Sequence, residues 1–132
     1  MNLKEQVIEK LLELGFQPEL IDETFGYRFK YEGMNLLFSP EDAESKTIHL
    51  LMPGIFDVNE ENRLDVLETI VKLAGKMKFV QPMIIQDSVW LNYQHYLEDH
   101  EPTAGLLEHM VRVLAYSTME FHKILNNTYD DE

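Results

Sequence analysis

The side chains best suited to chemistry lie in one short segment, His95–His100, which holds two imidazoles and two carboxylates. A catalytic metal needs about three such ligands and an open coordination position. The spacing does not match a helical ligand pair of the H-E-x-x-H kind, and His95 is expected on the core face of a strand. We predict no metal site and no cofactor. The residues that a metal site would use are His95, Glu98, Asp99 and His100.

Other reaction chemistries find little support in the residues. The chain has no cysteine, which excludes disulfide bonds, thiolate zinc sites and a cysteine nucleophile. There is no G-x-G-x-x-G pattern and no P-loop, and no serine lies in a nucleophile-elbow context. We therefore predict that the protein is not an enzyme. A metal-dependent enzyme built on the His95–His100 segment is the less favoured alternative.

Length and charge indicate the class of protein. The 132 residues fit one domain, and 24 acidic against 11 basic residues give a net charge of −13. This charge disfavours binding to nucleic acid and to anionic membranes. No run approaches the roughly 18 apolar residues of a membrane span, and residues 1–15 lack a signal-peptide pattern. We expect a soluble, cytoplasmic protein with a single α+β domain over residues 1–126 and a frayed acidic tail over residues 127–132.

Three segments have the period of amphipathic helices. The first runs from a cap at Asn2 to Gly15, which suits a left-handed C-cap. The second is expected from Glu60 to Lys78, with Asp57 or Asn59 as its cap. Its predicted apolar stripe is Leu64, Leu67, Ile70, Val71, Ala74 and Met77.

The third helix is expected from Pro102 or Thr103 to about Asn126. It is apolar over more than half of its circumference, which predicts contact with two partners, the sheet and either another helix or another subunit. Its expected solvent-facing residues are Glu108, His109, Arg112, Glu120 and Lys123.

Alternating apolar and polar residues predict five strands. Three lie between Tyr27 and Met52, with a tight turn at Glu32-Gly33 and an end at Pro53-Gly54. The other two are Phe79–Gln86 and Ser88–Leu97, joined at Gln86-Asp87. Pro82 suggests an edge strand or a bulge, because proline cannot donate to a ladder. The stretch from Phe16 to Gly26 is expected to be turns.

The resulting order, α-β-β-β-α-β-β-α, predicts an antiparallel sheet with helices mainly on one face, an α+β fold. The opposite side, here called the open face, would then carry aromatics, leucines and two cations. Aromatic residues and arginine are favoured at interface centres. The alternative is that the second helix covers these residues. The residues predicted to bind a partner there are Arg28, Leu37, His49, Leu51, Trp90 and Tyr96.

The chain resembles the type III secretion chaperone-like fold, and more closely its YbjN-like branch. This is a likeness of pattern over nearly the whole chain, without a catalytic or ligand motif. It rests on the helix ending at Gly15, the strands from Tyr27 to Met52, the Leu64–Met77 helix, the strands at Met83–Ile85 and Val89–Tyr93, and the Leu106–Leu125 helix.

The resemblance implies a non-enzymatic binding protein, since secretion chaperones are commonly homodimers that hold a partner segment in extended form. We therefore expect a protein-interaction module that binds a protein or an extended peptide segment. The alternative is an acidic neutralising protein, such as an immunity protein or a nucleic-acid mimic, that binds a basic partner through its charge. A homodimer through the second or third helix is a separate expectation.

Overall fold

The computed structural model describes residues 1–41 and 45–130, with side chains to residue 127. Over these residues, three helices and six strands follow one another. They are α1 (Leu3–Glu13), β1 (Glu19–Asp22), β2 (Gly26–Tyr31), β3 (Met34–Phe38), β4 (Thr47–Asp57), α2 (Arg63–Lys76), β5 (Val80–Ile85), β6 (Ser88–Tyr96) and α3 (Ala104–Asp130).

The six strands form one antiparallel sheet in the order β1-β2-β3-β4-β6-β5, which confirms the predicted α+β class. The sequence missed β1, which lies in the stretch expected to be turns. All four of its residues are exposed, so no alternation of apolar and polar residues marks it. It pairs with β2, with Glu19 opposite Arg28.

Both predicted hairpin turns are confirmed. Glu32 and Gly33 have φ of +49° and +80°, and Gln86 and Asp87 have φ of +47° and +63°. Two successive positive φ values define the turn type whose twist matches that of antiparallel strands. These turns fix the registers of the β2–β3 and β5–β6 pairs.

The prediction that Pro53-Gly54 ends its strand is wrong. Strand β4 continues to Asp57, and its pairing with β6 shifts register between Met52 and Phe56. A bulge accommodates the extra residues, and Gly54 takes a φ of +54° there. A glycine at a bulge gives the same sequence signal as a glycine that ends a strand.

All three helices contribute to the hydrophobic core on one side of the sheet, here called the covered face. Helix α3 contacts β4, β5 and β6, and α1 and α2 flank it. As predicted, alternate strand residues turn toward the helices. Those buried in the core include Phe29, Leu36, Phe38, Ile48, Leu50, Met52, Val89, Leu91 and Tyr93.

Helix α2 turns only part of its predicted apolar stripe toward the core: Ile70 and Met77 pack there, but the fully buried residues were not in the stripe. It begins at Arg63 after an Asn62 cap, and its buried residues are Val66, Thr69 and Leu73. Leu64 and Val71 of the predicted stripe are 68% and 72% exposed. The predicted caps are also wrong, since Asn59 only exchanges hydrogen bonds with Asn62, of 2.8 and 2.9 Å.

Helix α3 extends further than predicted, to Asp130, and Asp131 and Glu132 lie outside the described residues. Glu120 was expected in solvent but is only 7% exposed. It forms an ion pair with Lys76 of α2, with 2.6 Å between Nζ and Oε2. Over the residues that the structure describes, none of the helices is long and apolar enough to span a bilayer.

Candidate functional site

Strand register places all six predicted site residues on the open face. One row crosses five strands: Arg28 pairs with Leu37, Leu37 with Leu51, Leu51 with Asn92, and Asn92 with Gln81. The other three predicted residues follow the same alternation: core residues flank His49 and Trp90, and the core residue Leu97 follows Tyr96. His49 lies opposite Gln94, Trp90 opposite Met83, and Tyr96 opposite Thr47.

The alternative that α2 covers this face is wrong. Val66 and Leu73 of α2 belong to the same core as Phe29 and Leu50, which puts the helix on the covered face. None of the described helices lies against the open face, and its residues shield one another. Burial is therefore graded: Leu37 is 4% exposed and Tyr96 is 62% exposed, and His49, Leu51 and Trp90 are half-buried.

Two polar contacts orient side chains at the centre of the open face. His49 Nε2 lies within hydrogen-bonding distance of the Asn92 amide oxygen, and Asn92 is only 6% exposed. Because that oxygen only accepts, His49 Nε2 must be the donor. The Trp90 Nε1–H donates to Ser88 Oγ over 3.0 Å, which ties the indole to the β5–β6 hairpin.

The open face carries few carboxylates. Strands β2, β3, β5 and β6 contain no acidic residue, β4 contains only Asp57 at its end, and the edge strand β1 contributes Glu19, opposite Arg28. Arg28 and Lys30 supply positive charge. Arg28 forms an ion pair of 3.4 Å with Glu19 on the edge strand β1. A chain of net charge −13 thus has a broad surface whose carboxylates, Glu19 and Asp57, lie at its margins.

Neither edge of the sheet suits the addition of a further strand. Strand β1 has four residues, includes two carboxylates and has a register irregularity between Leu20 and Asp22. Strand β5 is the other edge, which agrees with the prediction made from Pro82. Short, charged or proline-containing edges are the usual protection against pairing with another chain. The broad face is therefore the better candidate for a contact surface.

The segment with potential metal ligands does not converge. His95 lies opposite the core residue Ile48, on the covered-face side of β6. Asp99 lies 3.4 Å from Lys46 in an exposed ion pair. Within the described ranges, no three His, Asp or Glu side chains come together as ligands.

The ion pair between Lys76 and Glu120, which was not predicted, joins α2 to α3. The Lys76 ammonium hydrogen-bonds to Glu120 and thereby lowers the pKa of that carboxyl, while the carboxylate raises the pKa of Lys76.

Helix α2 carries a second uncovered apolar surface, here called the outer stripe of α2. It consists of Leu64, Leu67 and Val71, which are 68%, 40% and 72% exposed. The outer stripe lies opposite the buried residues of the same helix.

Solved structures with a similar fold are known. The chain is similar to an uncharacterised protein from Methanothermobacter thermautotrophicus, with a TM-score of 0.67 and 12% identity over 95% of this chain and 97% of that one. The structure has a YbjN-like α+β fold. YbjN from E. coli, for which a role as a transcription regulator has been suggested, aligns with a TM-score of 0.63 and 11% identity over 96% and 92% of the two chains.

These likenesses confirm the resemblance to the YbjN-like fold. At such low identity they establish the fold alone. No protein-family model and no curated protein sequence matches the chain.

Proposed function

We propose that the protein is a non-enzymatic interaction module that binds a protein or an extended peptide segment on its open face. The observation that carries the proposal is the composition of that face. Leucines, an indole and amides lie there with none of the described helices above them, and the few carboxylates lie at the margins. Interface centres are depleted of charged residues and enriched in aromatics.

The form of the two sheet edges supports contact through the face. A partner that added a strand would have to pair with the short, acidic β1 or with the proline-containing β5. A partner that lies across the face would meet Leu51 and Trp90, which are half-buried and available for further burial. Two structural neighbours, an uncharacterised protein and a suggested regulator, are compatible with such a role.

The test is partner capture by a tagged protein from the source lysate, compared among variants. We expect Leu51→Asp and Trp90→Ala to abolish capture while lowering the melting temperature by a few degrees at most. Met119→Asp is the control, because Met119 is 64% exposed on α3 and away from the sheet. If all three variants capture the same proteins as the wild type, the open face is not the binding surface.

The same experiment addresses the two remaining interpretations. A large loss of stability in Leu51→Asp or Trp90→Ala would mean that these residues are structural. Capture of a basic partner, with an affinity that falls steeply with salt, would favour the acidic neutralising protein expected from the net charge. Affinity that salt leaves unchanged would exclude that alternative.

We also propose a homodimer formed through the outer stripe of α2. Residues 60–69 carry four carboxylates and one cation, whereas residues 70–78 carry three lysines and no carboxylate. Two copies of α2 packed antiparallel about a two-fold axis near Leu67 would set each acidic end against a basic end. Leu64 of one copy would then face Val71 of the other, so the contact is complementary to itself.

Light scattering tests the dimer directly. We expect the wild type to have twice the 15.5 kDa mass of one chain, and Val71→Glu to have the mass of one chain. Met119→Glu, the equally exposed control, should remain dimeric. A monomeric wild type at micromolar concentration would contradict the dimer, and a dimeric Val71→Glu variant would show that another surface forms it.

A further inference from the structure

The open face differs chemically between its two ends. At the β2 end, Arg28 and Lys30 bring two positive charges. At the β6 and β5 end, Trp90 and Met83 lie opposite one another. Lys30 forms no ion pair among the described residues, and Glu32, in the turn that follows β2, does not pair with it. The face thus offers a free cation at one end and an aromatic surface at the other.

The ion pair of Arg28 does not remove this asymmetry. Its guanidinium lies 3.4 Å from the Glu19 carboxylate, and the two side chains are 49% and 73% exposed. Exposed pairs of this kind contribute little, so a carboxylate from a partner can compete with Glu19 for Arg28.

The net charge of −13 repels an acidic partner at the open face only weakly, because most of the carboxylates are distant from that face. Ionic interactions are screened over about 8 Å at physiological ionic strength. A helix is about 10 Å across, so carboxylates on the far side of the helix layer lie beyond that distance from the open face. Local charges therefore dominate the interaction with a bound group; at this end of the face they are Arg28, its partner Glu19, and Lys30.

The register of the strands gives the distance between Lys30 and Trp90 across the open face. Lys30 and Trp90 both lie two residues, in the same direction, from the row that runs through Arg28 and Asn92. Strands β2 and β6 are three strand spacings apart in the sheet, which is about 14 Å. An extended segment covers that distance in about four residues. Side chains four residues apart in an extended segment point to the same side.

Building on the proposed function, we infer that the bound segment is both acidic and apolar. A carboxylate would lie over Lys30 and Arg28, and an apolar side chain about four residues away would pack on Trp90 and Leu51. The partner is therefore a polypeptide with an Asp or Glu at that spacing from a large apolar residue. Neither the net charge nor the likeness to known structures indicates this preference.

Trp90 is the only tryptophan of the chain, so its fluorescence reports occupancy of this face. The probe is a capped peptide of about ten residues, free of Trp and Tyr, with Asp and Leu about four residues apart. Its counterpart has Lys in place of Asp. We expect the Asp peptide to shift the Trp90 emission saturably and to bind more tightly than the Lys peptide.

Lys30→Gln should raise the dissociation constant of the Asp peptide by about two- to five-fold, as expected for one exposed ion pair. Lys4→Gln removes the same charge from α1 and should leave that constant unchanged. Equal or tighter binding of the Lys peptide would overturn the acidic preference while the open face remains a binding surface. If neither peptide changes the emission, the short acidic segment is excluded. The proposed function itself fails only if lysate capture is also insensitive to Leu51→Asp.

Discussion

The two faces of the sheet are built from the same strands and differ in burial. Leu50 and Leu51 are neighbours in β4, yet Leu50 is fully buried under the helices and Leu51 is half-buried on the open face. Tyr93 and Tyr96 of β6 differ in the same way, at 4% and 62% exposure. Because side chains alternate along a strand, one run of residues supplies both a sealed core and an uncovered surface. The covered face should determine stability and the open face should determine binding.

The largest expected effect contrasts the two leucines directly. Leu50→Ala leaves a cavity in the core and should lower the free energy of unfolding by about 2–5 kcal/mol. Leu51→Ala removes the same atoms from a surface that is open to solvent, where the loss should be about 1 kcal/mol. Urea unfolding of both variants measures the difference. Equal losses would mean that the open face is sealed in solution, for instance by a second copy of the chain.

The alternation of apolar and polar residues along the strands explains how much of the fold can be predicted from the sequence. Tyr27, Phe29 and Tyr31 alternate with polar residues, which predicts both the strand and its buried side, and the structure agrees. The buried side of helix α2 could not be predicted from its sequence pattern. It has apolar residues on two opposite sides, and helical period alone cannot say which side meets the core. The buried side includes Thr69, whose hydroxyl donates to the Asp65 carbonyl over 2.7 Å and is thereby satisfied.

The site was predictable only at the level of the face. The side on which Arg28 or Trp90 lies follows from alternation. The burial of Asn92 and its contact with His49 depend on the register between β4 and β6, which are separated in sequence by α2 and β5. The pairing of Lys76 with Glu120 depends likewise on how two helices pack. Contacts between distant segments follow from the assembled fold and have no local sequence signal.

A smaller effect is expected from two ion pairs, that of Lys76 with Glu120 on the helices and that of Arg28 with Glu19 on the open face. The Lys76 ammonium holds the pKa of Glu120 below its ordinary value of 4.5. A lowered pKa stabilises the fold above the ordinary value, and that stability is lost as the pH falls through the folded-state pKa. Lys76→Gln should therefore destabilise the protein at pH 7, and its deficit relative to the wild type should shrink as the pH falls below 4.5.

Arg28→Gln, which removes an ion pair on the open face, is the control for Lys76→Gln. Its pair with Glu19 is well exposed, so we expect little change in the urea midpoint at any pH. Midpoints measured from pH 7 to pH 3 would separate the two variants. A deficit of Lys76→Gln that stays constant over this range would show that lost packing, and not the ion pair, destabilises the variant.

The smallest effect concerns Tyr93, on the covered face, at alkaline pH. Burial raises the pKa of the Tyr93 phenol above its ordinary value of 10.0, and the Phe79 ring stacks on it at a centroid distance of 6.2 Å. As the pH rises above 10.0 the phenol ionises first in the unfolded chain, so this tyrosine costs stability there. Tyr93→Phe should therefore reduce the alkaline loss of stability relative to the wild type. Unfolding midpoints of the two proteins from pH 8 to pH 11 measure this. An alkaline loss that Tyr93→Phe leaves unchanged would contradict the burial of this phenol on the covered face.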